Sequence, residues 1–99
     1  MVTLKNEYLQ VEINELGAEL TSVRSLENDL EYIWRADKKI WGRHAPILFP
    51  IVGRLKDDHY EYKGTSYEMH QHGFARDSVF EVVDSSDTHA TLKLSLIHI

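Results

Sequence analysis

Apolar and polar residues alternate with a period of two through most of the chain, which predicts β-strands. Residues 9–13 alternate strictly, as in a strand with one buried face, and residues 18–22 repeat the pattern. Residues 27–29 are polar and rich in Asn and Asp, whose side chains bond their own main chain, so a turn is expected there. A short apolar run at residues 30–34 and a polar connection at residues 36–39 follow.

The second half of the chain shows the same period in paired segments. We find no internal repeat and no long amphipathic helix, so the sequence predicts an all-β fold of antiparallel strands and hairpins. The predicted hairpins are residues 60–62 with 66–69 around Lys63-Gly64, and residues 79–83 with 90–94 around residues 84–88.

The most apolar stretch, residues 45–52, departs from this regular alternation. It contains Pro46 and Pro50, which forbid a regular helix and remove two hydrogen-bond donors from any strand. We therefore predict an extended, irregular and buried segment that leads into a polar loop at residues 53–58.

Composition and charge narrow the classes of function. Apolar residues make up 42% of the chain and charged residues 27%, which excludes a disordered or low-complexity protein. The net charge of −5 disfavours a nucleic-acid partner, and the chain lacks cysteine, so it has neither disulfides nor thiolate metal ligands. No apolar run reaches membrane-spanning length and the start lacks the apolar stretch of a signal peptide, which predicts a cytoplasmic protein without membrane contact.

Candidate chemistry is concentrated in two loops. Arg54 follows Gly53 at the end of the apolar stretch, where a guanidinium could point into a cavity or simply into solvent. His72 and Arg76 flank Gly73 and Phe74, a combination that suits a polar ligand lying on an aromatic ring. The same loop is equally well explained as a histidine beside an anchoring phenylalanine, so both interpretations stay open.

Two other features favour packing over chemistry. His70 and His72 would share a face of a strand, but zinc sites need three or four ligands and no third ligand stands at a suitable spacing. Several aromatic residues could stack on sugar rings, although alternating tyrosines in a hairpin usually pack across strands. These aromatic residues are Tyr32, Trp34, Trp41, Tyr60, Tyr62 and Tyr67.

The two loops together carry a resemblance to a known family. Residues 45–55 and 71–76, with the hairpin between them, closely resemble the aldose 1-epimerase (galactose mutarotase-like) family, and within it the branch often labelled LacX-like. The opening residues 16–20 and 30–34 also match that branch, so the likeness runs over nearly the whole chain. The resemblance implies that the chain is the N-terminal part of a β-supersandwich.

The resemblance also implies a reaction and site residues. Members of the family interconvert the α and β anomers of an aldose by general acid–base chemistry, with neither metal nor cofactor. Arg54 matches the substrate-binding arginine of the family, and His72 matches the first of its two active-site histidines, which supports catalysis by holding and polarising the sugar. Arg76 matches an arginine that contacts the anionic end of the substrate in related hexose-phosphate mutarotases. A hexose or hexose phosphate is therefore the expected partner.

The chain departs from the family pattern after His72. The second histidine, the sugar-binding aspartate and the glutamate base of the family lie farther along, whereas this chain has only His89, His98 and no glutamate beyond Glu81. We therefore expect an inactive N-terminal portion over residues 1–94, with residues 95–99 a poorly matching truncation end. A non-catalytic sugar-binding module is the alternative, and open strand edges also predict self-association.

Overall fold

The computed structural model describes residues 1–95, and it confirms the predicted all-β class with antiparallel strands. The helical elements within residues 1–95 are two short 3₁₀ turns, Lys56–Asp58 and Ala75–Asp77. In this part of the chain no helix has the length and apolarity to cross a membrane. The predicted truncation end, residues 95–99, lies outside the described residues except for Ser95. The strands are β1 (Val2–Lys5), β2 (Leu9–Asn14), β3 (Glu19–Ser25), β4 (His59–Tyr62), β5 (Thr65–Glu68), β6 (Glu81–Ser85) and β7 (Ala90–Lys93).

The N-terminal sheet has the order β1-β2-β3, with both pairs antiparallel. Strands β2 and β3 confirm the two predicted strands, and a register shift between Glu12 and Ile13 marks a bulge in their ladder. Strand β1 was not predicted, because its alternation of apolar and polar residues extends over only four positions. Its Val2 is nevertheless buried and lies opposite Ile13.

The hairpin of β4 and β5 is formed as predicted. Tyr62 pairs with Thr65, so Lys63-Gly64 is a two-residue turn, and both of its residues have positive φ, at 50° and 77°. That conformation is the type I′ turn, whose twist matches the twist of the flanking strands. Across the strands the rings of Tyr60 and Tyr67 stack with centroids 5.2 Å apart, which confirms the predicted packing of the tyrosines.

The hairpin of β6 and β7 is confirmed in kind but its boundaries differ from the prediction. Strand β6 continues to Ser85 because a bulge at Val83 keeps the register, and the turn closes where the Ser86 amide donates to the His89 carbonyl at 2.7 Å. Asp84 and Ser85 are therefore in the strand and not in the turn. His89 lies in the loop just before β7.

The described residues form a flat layer and not a closed core. The Cα trace measures 56 × 34 × 15 Å, strands contact one another mainly within their own sheet, and Val2 and Ala75 are the only buried hydrophobic side chains among residues 1–95. The predicted burial of residues 45–52 is therefore wrong, since Phe49 is 45% exposed and Val52 is 77% exposed. Their extended, irregular course is confirmed, but no second layer lies over them within the described residues.

Candidate functional site

The two predicted site loops meet at Phe49. The carbonyl of Phe49 accepts hydrogen bonds from the amides of Phe74 and Ala75, each at 3.1 Å, and Phe49 forms a parallel bridge with Gly73. The rings of Phe49 and Phe74 pack edge to face with centroids 6.4 Å apart. These contacts hold the loop of residues 71–76 against the apolar stretch that precedes Arg54.

Gly73 is the residue at which the two loops approach most closely. Its φ is +77°, and a Cβ built there would lie 2.2 Å from the Phe49 carbonyl oxygen and 2.8 Å from Cδ of Pro50. A side chain therefore has no room at this position, and its backbone conformation is one that glycine adopts without strain. The glycine lets the backbones touch, and this contact fixes the neighbouring His72.

His72 is joined to Gly53 by two hydrogen bonds. The Gly53 amide donates to Nδ1 of His72 at 2.8 Å, and the His72 amide donates to the Gly53 carbonyl at 2.7 Å. Since Nδ1 acts as an acceptor, the neutral imidazole carries its proton on Nε2. The ring therefore carries an N–H on the side away from Gly53, where Nε2 of the Gln71 amide, itself a donor, lies 3.4 Å from Nε2 of His72.

Arg54 is next to this junction in the chain, but its side chain turns elsewhere. Its Nε donates to Oδ1 of Asp58 at 2.9 Å and its Nη2 to Oδ2 at 3.4 Å, a two-pronged pair on the protein surface. The Arg54 side chain is 66% exposed. The structure thus brings the backbone before Arg54 onto His72, while the guanidinium itself is bound to Asp58.

Arg76 is the more enclosed of the two arginines, with its side chain 19% exposed. Its Nη2 donates to the Gln71 carbonyl at 3.0 Å, whereas its buried Nε has no hydrogen-bond partner in the described part of the chain. Asp77 lies 4.0 Å from that Nε, beyond hydrogen-bond distance, and its other oxygen accepts from Arg43 at 2.9 Å. Arg76 therefore has one buried donor without a partner among the described residues.

A cavity of about 340 Å³ contains both His72 and Arg76. No carboxylate is among the residues that line it, so within residues 1–95 the cavity offers donors and apolar surface but no base. Arg54 does not line it. The lining residues are Trp41, Pro46, Leu48, Gln71, His72 and Arg76.

Sequence reasoning missed Trp41 as a site residue because it was grouped with the aromatic residues expected to pack. For the lining residues Pro46 and Leu48, the extended course predicted for the apolar stretch was a usable signal. In extended backbone alternate residues face opposite sides, and here Pro46 and Leu48 line the cavity while Ile47 and Phe49 line an apolar groove on the other side. The stretch is thus a wall between two concave surfaces.

His70 takes no part in the cavity. Its Nε2 lies 3.3 Å from Oε1 of Glu68, and its side chain is largely exposed. His72 has positive φ and lies in a turn, so the two histidines do not share a strand face. Over the described residues, no three His, Cys, Asp or Glu side chains lie close enough together to hold a metal ion.

The sequence profile of the aldose 1-epimerase family matches residues 1–98. The plasmid and chromosomal forms of Protein LacX from Lactococcus lactis subsp. lactis are each 37% identical over 98 residues, covering 94% of this chain and 32% of the relative. The chain therefore spans about a third of the length of the curated relatives it matches.

Two crystal structures have the same backbone arrangement. A galactose mutarotase related enzyme from Lactobacillus acidophilus superposes with a TM-score of 0.90 at 50% identity, over 92% of this chain and 30% of that protein. A galactose mutarotase-like protein from Lactobacillus casei gives a TM-score of 0.89 at 46% identity, over 93% of this chain and 31% of that protein. The fold of the described residues is thus a part of the galactose mutarotase-like fold.

Proposed function

The chain belongs to the aldose 1-epimerase family, and on that premise we propose that it supplies the sugar-binding wall of an isomerase that interconverts the α and β anomers of a hexose or hexose phosphate. Arg54, His72 and Arg76 are the proposed binding residues. His72 has a supporting part in catalysis, since it polarises an oxygen of the sugar. The main acid and base of the reaction are not among the proposed residues.

One observation carries the proposal: the Gly53 amide fixes the tautomer of His72. With Nδ1 occupied as an acceptor, Nε2 presents a proton beside a cavity large enough for a sugar ring. A hydrogen bond from this N–H to a sugar oxygen withdraws electron density from it and holds the ring in place. The geometry suits binding and polarisation, because a ring with one proton and a blocked Nδ1 is not placed to remove another.

Arg76 extends the proposal to phosphorylated sugars. Its guanidinium is mostly buried at the same cavity, and its Nε is without a hydrogen-bond partner in the described residues. An anionic group on the substrate would pair with this guanidinium where Arg76 lines the cavity and neutralise its positive charge. We therefore expect a hexose 6-phosphate to bind more tightly than the free hexose.

Catalysis by this chain alone is not expected. Proton transfer to the ring oxygen and from the anomeric hydroxyl needs an acid and a base on opposite sides of the sugar, and the cavity lining contains no carboxylate. The same observation favours the second candidate function, a sugar-binding module without activity. The two functions are separated by NMR measurement of exchange between the anomers of galactose, made on this chain when it is part of a complete mutarotase-like fold. Exchange above the rate in buffer indicates the isomerase, and binding without exchange indicates the module.

The proposal is tested by titration with galactose and hexose 6-phosphate, monitored by NMR. His72→Asn keeps an acceptor for the Gly53 amide and suits the φ of +63° at this position, but it removes the Nε2 donor, so sugar binding should be lost while the fold persists. His70→Asn is the matched control and should bind normally. Arg54→Ala should weaken binding, and Arg76→Gln should remove the preference for phosphate. Normal binding by the His72 variant would refute the assignment.

A further inference from the structure

Trp41 closes a short turn that begins at Asp37, and it lines the cavity that also contains His72 and Arg76. Its amide donates to the Asp37 carbonyl at 2.8 Å. Its carbonyl accepts from Nε1 of Trp34 at 2.8 Å, so a second tryptophan holds the same residue from the other side. The backbone of Trp41 is therefore positioned without any contribution from its own ring.

The residues after Trp41 connect this segment to the turn that carries Arg76. Nη2 of Arg43 donates to Oδ1 of Asp77 at 2.9 Å, and Asp77 belongs to the same 3₁₀ turn as Arg76. Trp41 is thus anchored by its own amide at Asp37 and, two positions later, at the turn that forms another part of the cavity lining. Its place beside the donors of the cavity is set before any ligand binds.

The ring of Trp41 is left with accessible surface. Its residue is 49% exposed, and among residues 1–95 the ring neither stacks on another aromatic ring nor lies under a cation. Trp34 differs in both respects, since the guanidinium of Arg35 lies 5.9 Å from its ring centre and it does not line the cavity. An aromatic surface beside a few fixed polar groups is typical of a site for a small ligand.

On the basis of the proposed sugar-binding function, we propose that the Trp41 indole is the platform on which the C–H face of a closed pyranose ring stacks. The face of an indole carries partial negative charge, which attracts the weakly positive C–H groups on the apolar side of the sugar. Stacking removes both surfaces from water, while oxygens at the edge of the sugar ring accept from His72 or Arg76. The site therefore selects closed hexoses over open-chain sugars, which have no flat C–H face.

Substitutions at position 41 test the platform, and they keep the hydrogen bond from Trp34 because its acceptor is the backbone carbonyl. Trp41→Phe retains an aromatic face and should bind galactose within about threefold of the parent chain in NMR titrations. Trp41→Leu retains apolar bulk without that face and should bind about three- to tenfold more weakly than Trp41→Phe. Tyr8→Leu is the matched control, since Tyr8 is 67% exposed and lies outside the cavity, and its affinity should be unchanged.

Fluorine NMR of the chain labelled with 5-fluorotryptophan gives a readout that a merely structural role would not move. The chain has two tryptophans, and Trp41→Phe assigns their resonances. Galactose should shift the Trp41 resonance saturably and the Trp34 resonance much less, because Trp34 does not line the cavity. Protection of the Trp34 indole N–H from hydrogen exchange establishes that the turn persists in each variant.

The outcomes separate the platform from the proposed function. If galactose binds the parent chain but Trp41→Leu binds it as tightly as Trp41→Phe, the platform is refuted and sugar binding stands. A Trp41 resonance that stays in place at saturation, or an equal loss of affinity in Tyr8→Leu, would overturn the platform in the same way. If galactose does not bind the parent chain, the proposed function fails and the platform fails with it.

Discussion

Gly73→Ala tests the contact on which the site is built. The new Cβ would lie 2.2 Å from the Phe49 carbonyl oxygen and 2.6 Å from its carbon, so the two loops must separate by about 1 Å to restore van der Waals distance. A left-handed conformation costs a residue with a Cβ about 1–2 kcal/mol. Overpacking against backbone adds about 1–3 kcal/mol. We therefore expect local destabilisation of about 2–5 kcal/mol.

Gly64→Ala is the matched control for Gly73→Ala. Gly64 has the same φ of +77°, but a Cβ there meets nothing within 4 Å. It should therefore show the conformational cost alone, about 1–2 kcal/mol. The difference in destabilisation between the two variants measures the cost of the close approach of Gly73 to Phe49, because the cost of the left-handed backbone is common to both and cancels.

Amide hydrogen exchange by NMR is the appropriate assay because it reports each contact separately. The Phe74 and Ala75 amides both donate to the Phe49 carbonyl, so they should exchange about thirty to several thousand times faster in Gly73→Ala. In Gly64→Ala these amides should be unchanged, and acceleration should be confined to the hairpin of β4 and β5. Equal effects of the two substitutions on Phe74 and Ala75 would refute the reasoning.

Three further predictions follow from other contacts. Glu31 accepts hydrogen bonds from the Ser22 hydroxyl and from backbone amides, which lowers the pKa of its carboxyl. Because the pKa is lower in the folded state, the ionised carboxylate stabilises the fold at pH values above the unfolded pKa. This stabilisation is lost as the pH falls through the folded pKa. Ser22→Ala should therefore move the pKa of Glu31 back towards its ordinary value, as followed by carboxyl ¹³C shifts, and an unchanged titration would contradict the assignment. The two stacked tyrosines of β4 and β5, truncated to alanine singly and together, should show a coupling energy of about 0.5–1.5 kcal/mol in urea unfolding, and additive effects would exclude the interaction. Asp58→Asn frees the guanidinium of Arg54 from an exposed ion pair and should therefore raise sugar affinity about two- to fivefold in NMR titrations. A decrease in affinity would show that Asp58 orients this arginine for binding.

The sequence predicted the elements whose signal is local. Alternation in β2 and β3 and the Lys63-Gly64 turn depend on neighbouring residues only, and all of them formed as expected. The burial of residues 45–52 was predicted wrongly, because burial depends on a covering layer and an apolar stretch cannot show whether the chain provides one. The strand β1 was missed although Val2-Thr3-Leu4-Lys5 alternates, because four alternating residues do not identify a strand without the pairing partner β2.

The site was predicted in part for the same physical reason. Local pattern singled out His72 and Arg76, which the structure brings to one cavity. The pattern did not show that Asp58 holds the Arg54 guanidinium, nor that Trp41 reaches the cavity from a turn thirty-one positions before His72. Both depend on how distant loops are arranged. The hydrogen bond from Gly53 to Nδ1 of His72, which sets the chemistry of the ring, could not be read from residue types at all.

The hairpin of β4 and β5 is inserted between Arg54 and His72, and its two ends lie next to each other. The Met69 amide donates to the Asp58 carbonyl at 2.7 Å, and this bond closes the base of the hairpin between Arg54 and His72. Everything beyond that base is an arm whose residues are exposed. Lengthening the arm, or inserting a fluorescent label or an affinity peptide between Lys63 and Gly64, therefore leaves the spacing of the proposed binding residues unchanged. This makes the turn the natural attachment point for a reporter of the proposed sugar binding.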